Sequence, residues 1–116
     1  MGRYQKGATK ERKYAEMLKA SGWVVIRAAG SHGEADLVAL KDRRVCLIQV
    51  KSDQAGPFAH FGPSHREALI ADAMKAGGEP WLVHWPSGRK FPDAIHPSDW
   101  PSASQSFEHA CPPHEA

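Results

Sequence analysis

The sequence predicts an α/β domain whose β-sheet is covered on both faces. The first observation behind this prediction is a hairpin of two apolar strands, at 37–40 and 45–50, around a charged turn. One face of the hairpin carries Val38, Leu40, Val45 and Leu47, and the other carries Leu37, Ala39, Cys46, Ile48 and Val50. A sheet that is apolar on both faces needs a covering layer on each. The second observation is a helical pattern both before and after the hairpin in the chain.

The remaining elements follow in order from local signals. The first helix is predicted over residues 8–21, because apolar side chains recur at helical spacing and Gly22 follows as a terminator. A strand is expected at 23–26, and a polar loop then leads into the hairpin. After a second loop, another helix is predicted to begin at Ser64, whose spacing to Glu67 forms a capping box, and to end at Gly77. Further strands are expected at 81–85 and near 91–95.

Length and composition indicate one domain. The 116 residues are enough for a single hydrophobic core, which we expect at residues 1–96. A flexible tail is expected at 97–116, where twenty residues include four prolines and four serines. The chain has no apolar run of 18 residues and no hydrophobic region of a signal peptide, so we expect a cytoplasmic protein outside the membrane. Cys46 and Cys111 form neither a disulfide framework nor a CxxC pair.

Basic residues are concentrated at the amino terminus, although the formal net charge is only +2. The first fourteen residues contain Arg3, Lys6, Lys10, Arg12 and Lys13. A basic segment suits a phosphate backbone, but a solvated helix face would carry the same residues. Glu11 lies on the inward stripe of the first helix, where either the helix dipole or a functional site explains an acid.

The polar side chains at one end of the hairpin are the strongest indication of chemistry. If the turn is centred between Asp42 and Arg43, opposed residues have numbers that sum to 85, and Asp36 lies across from Gln49. Lys51 then lies on the same face, two residues further on. Opposed Cβ atoms are about 4.5–5.5 Å apart, so the carboxylate and the amide oxygen could bind one divalent ion. The alternative is a strand-end ion pair between Asp36 and Lys51, which this short motif taken alone favours.

Two loops beside this end of the hairpin carry further candidates. In the loop before the hairpin, Ser31 and His32 could contact phosphate, although both are ordinary turn residues. In the loop after it, His60 lies close in sequence to Phe58 and Phe61. This aromatic group indicates either a nucleic-acid contact or a loop that its aromatic residues anchor in the core.

Four stretches of the sequence resemble one known family at the same spacing. They are KGATKER at 6–12, GWVVIRAAGS at 22–31, ADLVA at 35–39 and LIQVK at 47–51. An acid in the first helix followed by D…[E/Q]xK on a hairpin resembles the PD-(D/E)xK nuclease superfamily. More narrowly, the pattern resembles the archaeal-type Holliday junction resolvases, and three motifs in order outweigh the ion-pair interpretation of D…QxK alone.

The resemblance implies a restriction-endonuclease-like three-layer fold, with a central mixed β-sheet flanked by helices. Four ligands for Mg²⁺, or for Mn²⁺ in its place, are implied: Glu11, Asp36, Gln49 and the Val50 carbonyl. Lys51 would assist catalysis, with Arg12 and Ser31 in supporting roles. The implied DNA contacts are Arg3, Lys6, Lys10, Arg12, Lys13, Arg27, Ser31, His32 and His60. The resemblance further implies a homodimer without an organic cofactor, whose two sites cut opposed strands of a four-way junction.

The sequence departs from this family pattern at two positions. Ala35 stands where proline often precedes the aspartate, and Gln49 replaces the usual acidic residue. An amide supplies an oxygen ligand but neither a charge nor a base, so metal affinity should fall. The leading hypothesis is a Holliday junction resolvase. A restriction- or repair-type nuclease on other DNA, or a junction-binding protein that no longer cuts, are the alternatives.

Overall fold

The computed structural model describes residues 2–28, 33–101 and 107–116, with the side chains of the first helix described from Thr9 onward. The helices are α1 (Gly2–Ala20) and α2 (Pro63–Ala76). The strands are β1 (Val24–Arg27), β2 (Leu37–Lys41), β3 (Arg44–Lys51), β4 (Glu79–His84) and β5 (Asp93–Ile95). Short 3-10 helices follow at Pro97–Asp99 and Pro113–Glu115. Within these described ranges, no helix is long and apolar enough to cross a membrane.

The strands form one mixed sheet in the order β1-β2-β3-β4-β5. β1, β2 and β3 are successive antiparallel neighbours, and β5 pairs antiparallel with β4. β3 and β4 run parallel, since α2 lies between them in the chain and carries it back to the same end of the sheet. The carboxyl ends of β3 and β4 therefore lie side by side.

Helices α1 and α2 pack on opposite faces of the sheet. The core on the α1 side includes Tyr14, Ala15, Leu18, Trp23, Leu37, Ala39, Cys46, Ile48, Val50, Trp81, Val83 and Trp85. The core on the α2 side includes Leu47, Phe61, Leu69, Ile70, Ala73, Leu82 and Trp100, with Val38 and Val45 partly buried against it. The prediction of a three-layer fold from the two apolar faces of the hairpin is confirmed, because side-chain alternation along a strand sends successive residues to different layers.

The hairpin has the register that residue counting predicts. Leu37 pairs with Ile48 and Lys41 with Arg44, so that opposed residues sum to 85. Asp42 and Arg43 form the two-residue turn, and both have positive φ, at 48° and 68°. Positive φ at both positions is the geometry that matches the right-handed twist of the flanking strands. For arginine this left-handed conformation is strained.

Relieving that strain should stabilise the protein. The double substitution Asp42→Asn with Arg43→Gly installs the residue pair that this turn geometry favours. We expect the free energy of unfolding to rise by about 1 kcal/mol and Tm to rise by roughly 4–8 °C. Thermal unfolding followed by circular dichroism tests this. A lower Tm would mean that the Arg43 side chain makes a stabilising contact that outweighs its backbone strain.

The two ends of α2 differ in how well local signals predict them. The helix ends as predicted, with Gly77 in the left-handed region at φ 67°. The predicted capping box at Ser64 is wrong, because the helix begins at Pro63 after Gly62 and no side chain caps it. Proline fits the first helical position because the N–H that it lacks has no partner within the helix there.

Residues 107–116, which we call the C-terminal strap, pack against the domain and so differ from the flexible tail expected over 97–116. Pro113 is fully buried. Its carbonyl accepts a hydrogen bond from the Trp23 indole at 3.1 Å. The Tyr14 hydroxyl lies 2.9 Å from His114 Nδ1. Composition failed to predict this packing because the partners lie 90 and 100 residues earlier in the chain.

Candidate active site

Asp36 lies where regular pairing between β2 and β3 ends. Its carbonyl accepts from the Ala28 N–H at 2.9 Å, and its own N–H donates to the Ile48 carbonyl at 2.8 Å. The Asp36 carboxylate then accepts from the Val50 N–H at 2.8 Å. Counting residues from the turn predicted that Asp36 lies directly across from Gln49. In the structure the last regular pair is Leu37 with Ile48, so Asp36 lies just beyond the paired register. Asp36 thus reaches the end of β3 through an irregularity in the ladder and not through a regular cross-strand pair.

The environment of Asp36 disfavours its charged form. Burial raises the pKa of Asp36 to about 6, and the nearby carboxylates of Glu11 and Glu34 act in the same direction. The hydrogen bond from Val50 and the charge of Lys51 oppose this rise in pKa. Among the described residues, Lys51 forms no ion pair with Asp36. The alternative interpretation, an ion pair at the strand end, is therefore wrong. A half-buried carboxylate with neighbouring acids is an arrangement that a bound cation would stabilise.

Glu11 connects α1 to this site. Its Oε1 atom lies 3.4 Å from Arg27 Nη2, at the end of β1. The Glu11 side chain is 23% exposed, and its charge acts on Asp36, so the helix acid and the hairpin acid share one region. Arg27 was expected to contact DNA, and in this structure it neutralises Glu11.

Gln49 contributes a buried oxygen without a partner. The side chain is 9% exposed and lies in the middle of the sheet, opposite Leu82 of β4. Its Oε1 atom is fully buried and accepts no hydrogen bond from any described residue. Leaving such an acceptor unsatisfied costs about 1–3 kcal/mol, and a metal ligand role would remove that cost. Groups of three or more His, Cys, Asp or Glu side chains that could hold a metal do not occur among the described residues. The proposed ligands here include an amide, which belongs to none of these residue types.

The backbone of Val50 faces the same region. Neighbouring residues of a strand point their carbonyls to opposite edges, and the Lys51 carbonyl accepts from the Trp85 N–H on the β4 side at 2.8 Å. The Val50 N–H and carbonyl therefore face the β2 side, where the N–H meets the Asp36 carboxylate. The Val50 carbonyl therefore lies on the same side of β3 as the Asp36 carboxylate, where it could bind the same metal ion.

The loop after β3 is anchored by two aromatic residues, since Phe58 packs partly buried against the same core cluster as Phe61, and it exposes a histidine. Phe61 is fully buried, whereas the His60 side chain is 73% exposed. His60 Nδ1 lies 2.7 Å from Asp53 Oδ1. The Asp53 carbonyl in turn lies 2.7 Å from Nε2 of the buried His84. Sequence reasoning missed Asp53 and treated His84 as a strand residue, because no local pattern links positions 53, 60 and 84.

The structure describes only some of the basic side chains that were expected to contact DNA. Lys10 and Lys13 lie over the Trp85 ring, with Nζ 4.8 and 6.0 Å from its centroid. Arg12 and Lys13 line a groove of about 640 Å³ along α1, which Trp85 also borders. The side chains of Arg3 and Lys6, together with Ser31 and His32, lie outside the described part of the structure.

Comparison with known proteins identifies the family to which this chain belongs. The model for the archaeal Holliday junction resolvases (Hjc) matches residues 2–99. Proteins named crossover junction endodeoxyribonuclease Hjc are similar to this chain. The one from Methanocaldococcus jannaschii is 34% identical over 70% of this chain and 59% of its own length. The one from Sulfolobus acidocaldarius is 32% identical over 71% of this chain and 61% of its own length.

A solved structure agrees with these matches. Hjc of Archaeoglobus fulgidus, a Holliday junction resolvase from an archaeal hyperthermophile, superimposes with a TM-score of 0.69 at 26% identity, over 78% of this chain and 72% of that one. The chain spans about three fifths of the length of the curated relatives that it matches. Because the family model covers nearly the whole domain, this chain belongs to the archaeal Holliday junction resolvase family.

Proposed function

We propose that this protein is a metal-dependent endonuclease that resolves four-way DNA junctions by paired cuts. The observation that carries the proposal is the buried, unpartnered Gln49 Oε1, which belongs to the residue before Val50, whose N–H donates to the Asp36 carboxylate. Burial raises the pKa of Asp36 to about 6. A bound cation would stabilise both the unsatisfied amide oxygen and the carboxylate whose charged form burial disfavours. The similarity to crossover junction endodeoxyribonucleases supports phosphodiester hydrolysis as the reaction.

The donor set fits a hard divalent cation. Carboxylate, amide and carbonyl oxygens are the ligands that Mg²⁺ takes in proteins, and Mn²⁺ accepts the same set. The proposed ligands are Glu11, Asp36, Gln49 and the Val50 carbonyl. When bound, the ion would activate water and neutralise charge that develops on the phosphate. No organic cofactor is required for this hydrolysis.

The remaining side chains would act on the phosphate itself. Lys51 stands beside Asp36 and would stabilise negative charge on the scissile phosphate. Gln49 has no carboxylate and takes no proton from water, so it serves as a ligand only. Arg12 lines the groove along α1. It would bind the phosphate backbone of the DNA strand that extends from the site. Arg27 would orient the Glu11 carboxylate through their contact at 3.4 Å.

Resolution of a junction needs two cuts on opposed strands, so we propose that the protein acts as a homodimer. A two-fold dimer brings two copies of one site to two symmetry-related strands. Branched DNA is the proposed partner, and that substrate also supports a cytoplasmic location. A junction-binding protein without cleavage is the second candidate, because Gln49 removes one negative charge from the metal ligands.

The test is cleavage of a labelled synthetic four-way junction and of its component duplexes in Mg²⁺, Mn²⁺ and EDTA, with Asp36→Ala as the control. We expect symmetric paired cuts on the junction, which are absent in EDTA and in the variant. Equal cutting of linear duplex would instead indicate a restriction- or repair-type nuclease. Tight junction binding with no cuts in either metal would identify a binding module.

Restoring the family's acid should strengthen metal binding. For Gln49→Glu we expect retained or increased cleavage in Mg²⁺, with half-maximal activity at a lower Mg²⁺ concentration, because a charged oxygen replaces a neutral one. In EDTA at pH 8 the same variant should be less stable than the natural chain, since a further carboxylate is buried near Asp36. Gln49→Leu is the matched control, and should lose cleavage while folding normally. Loss of cleavage in a folded Gln49→Glu protein would show that the amide has a specific role.

A further inference from the structure

The segment that joins β4 to β5, residues 86–92, has five consecutive exposed residues between two buried prolines, and we call it the Phe91 loop. Phe91 is 66% exposed, more than any other large apolar side chain among the described residues. The two residues before it, Arg89 and Lys90, are also exposed. A single exposed apolar residue is ordinary on a protein surface, so the surroundings of this one decide what it can do.

The backbone of the Phe91 loop is held by hydrogen bonds. The Arg89 N–H donates to the Pro86 carbonyl at 3.2 Å, which closes a four-residue turn. The Trp85 indole donates to the Arg89 carbonyl at 2.9 Å. The side-chain amide of Gln54, from the loop after β3, donates to the Ser87 carbonyl at 3.1 Å. The exposed side chains therefore extend from a backbone of defined geometry.

The Phe91 loop begins at the end of the sheet that carries the candidate active site. Lys51 and His84, the last residues of the parallel strands β3 and β4, pair in register. The next residue, Trp85, donates its N–H to the Lys51 carbonyl at 2.8 Å. The ammonium groups of Lys10 and Lys13 lie over the ring of the same tryptophan. Trp85 thus connects the loop both to the strand end of Lys51 and to basic side chains of α1.

The exposed tip of the loop combines an aromatic ring with positive charge. The Lys90 ammonium lies over the Phe91 ring, 5.5 Å from its centroid, and Arg89 adds a second cation. Nucleic acids offer the complementary pair of features, since base faces stack on aromatic side chains and phosphates attract cations. In a continuous duplex each base face is covered by its neighbours. An apolar side chain contacts a base face only where that stacking is interrupted, as it is at a branch point.

We propose that the Phe91 loop contacts the branch point of the four-way junction, where Phe91 stacks on an exposed base and Arg89 and Lys90 bind the adjoining phosphates. This inference rests on the proposed function. None of these three residues belongs to the DNA contacts that the family resemblance implies. The two cations add affinity for any DNA. The stacking contact requires an exposed base face, so Phe91 favours branched DNA over linear duplex.

The test is the affinity for a labelled four-way junction and for a linear duplex of matched sequence, both measured in EDTA. For Phe91→Ala we expect roughly ten-fold weaker junction binding and little change in duplex binding. Phe91→Trp keeps an aromatic face and should retain the junction affinity. Arg89→Gln and Lys90→Gln should weaken binding to both DNAs, and each should reduce the slope of log affinity against log salt by about 1.

A matched variant separates stacking from a general loss of exposed apolar surface. Met74 on α2 is 57% exposed, and Met74→Ala should change neither affinity. Phe91→Ala should keep the natural Tm, because the ring is mostly exposed.

Two results with Phe91→Ala would overturn the inference, namely junction binding as tight as that of the natural chain, or equal losses on junction and duplex. Junction cleavage by the natural chain would uphold the proposed function in either case. Failure of the natural chain both to bind and to cut junctions would overturn the inference and the proposed function together.

Discussion

Replacing Asp36 with asparagine is expected to reduce junction cleavage by roughly 10³-fold or more and, at the same time, to stabilise the folded protein at pH 8. Cleavage falls because the proposed metal loses a charged ligand. Stability rises because burial and two neighbouring acids disfavour the ionised carboxylate in the folded state, where they raise the pKa of Asp36 to about 6. Asparagine keeps an oxygen that can accept the hydrogen bond from the Val50 N–H.

The sign of the pH dependence follows from the direction of this pKa shift. The carboxyl has a higher pKa in the folded state than its ordinary value of 3.8. Below pH 3.8 both states hold the proton and Asp36 carries no ionisation penalty. As the pH rises through about 6, the folded state must release the proton in an unfavourable site, and stability is lost. The asparagine side chain never ionises, so the advantage of the variant is absent in acid and reaches about 2–3 kcal/mol at pH 8.

Urea unfolding in EDTA at pH 4 and pH 8 measures this advantage directly. We expect the stability difference between Asp36→Asn and the natural chain to appear at pH 8 and to be close to zero at pH 4. The exposed Asp99 provides the control, since Asp99→Asn should change stability little at either pH. An Asp36→Asn protein that is equally stable at pH 8 would show that Asp36 is better solvated than its burial indicates.

Deleting the C-terminal strap is expected to lower stability by about 3 kcal/mol or more and Tm by at least roughly 12 °C. The strap supplies the buried Pro113 and accepts hydrogen bonds from the Trp23 indole, from the Arg44 guanidinium at the Cys111 carbonyl (2.9 Å), and from the Lys41 ammonium at the Ala116 carbonyl (3.3 Å). Each bond of this kind contributes about 0.5–1.5 kcal/mol. Deletion also returns the rings of Trp23 and Tyr14, now 4% and 0% exposed, to water.

The same deletion should leave cleavage unchanged at temperatures well below the new Tm. The strap contacts Arg44 at the start of β3, whereas the candidate site lies at the other end of that eight-residue strand. A strand of this length spans about 25 Å, which separates the strap's contact at Arg44 from the end of β3 that carries Gln49 and Lys51. A chain ended at residue 106 is compared with the full chain by differential scanning calorimetry and by junction cleavage. Trp23→Phe, which removes the indole donor together with part of a buried ring, should cost at least about 1 kcal/mol. An unchanged Tm after deletion would contradict the proposed stabilising role of the strap.

Features with a local or periodic cause could be predicted from the sequence. The length and charge of the turn determined the hairpin register, which the structure reproduces from Leu37–Ile48 to Lys41–Arg44. Side-chain alternation determined that both faces of the sheet would be covered, since a one-residue shift moves every side chain to the other layer. Gly77 ended α2 as predicted because the left-handed conformation there favours glycine. The motifs of residues 6–51 were sufficient to indicate the family.

Contacts between distant segments were decided only by the tertiary structure. The approach of the Asp36 carboxylate to the Val50 N–H accompanies the backbone hydrogen bonds of Asp36 to Ala28 and Ile48. No period in the sequence records these contacts. The strap is ordered because Trp23 and Tyr14, 90 and 100 residues earlier in the chain, provide hydrogen-bond partners for it. The proline- and serine-rich composition of residues 97–116 could not reveal these partners. Sequence patterns specify the elements and the faces that they bury, because these depend on neighbours along the chain. The position of each polar group depends on which hydrogen bonds remain to be satisfied once those elements have packed.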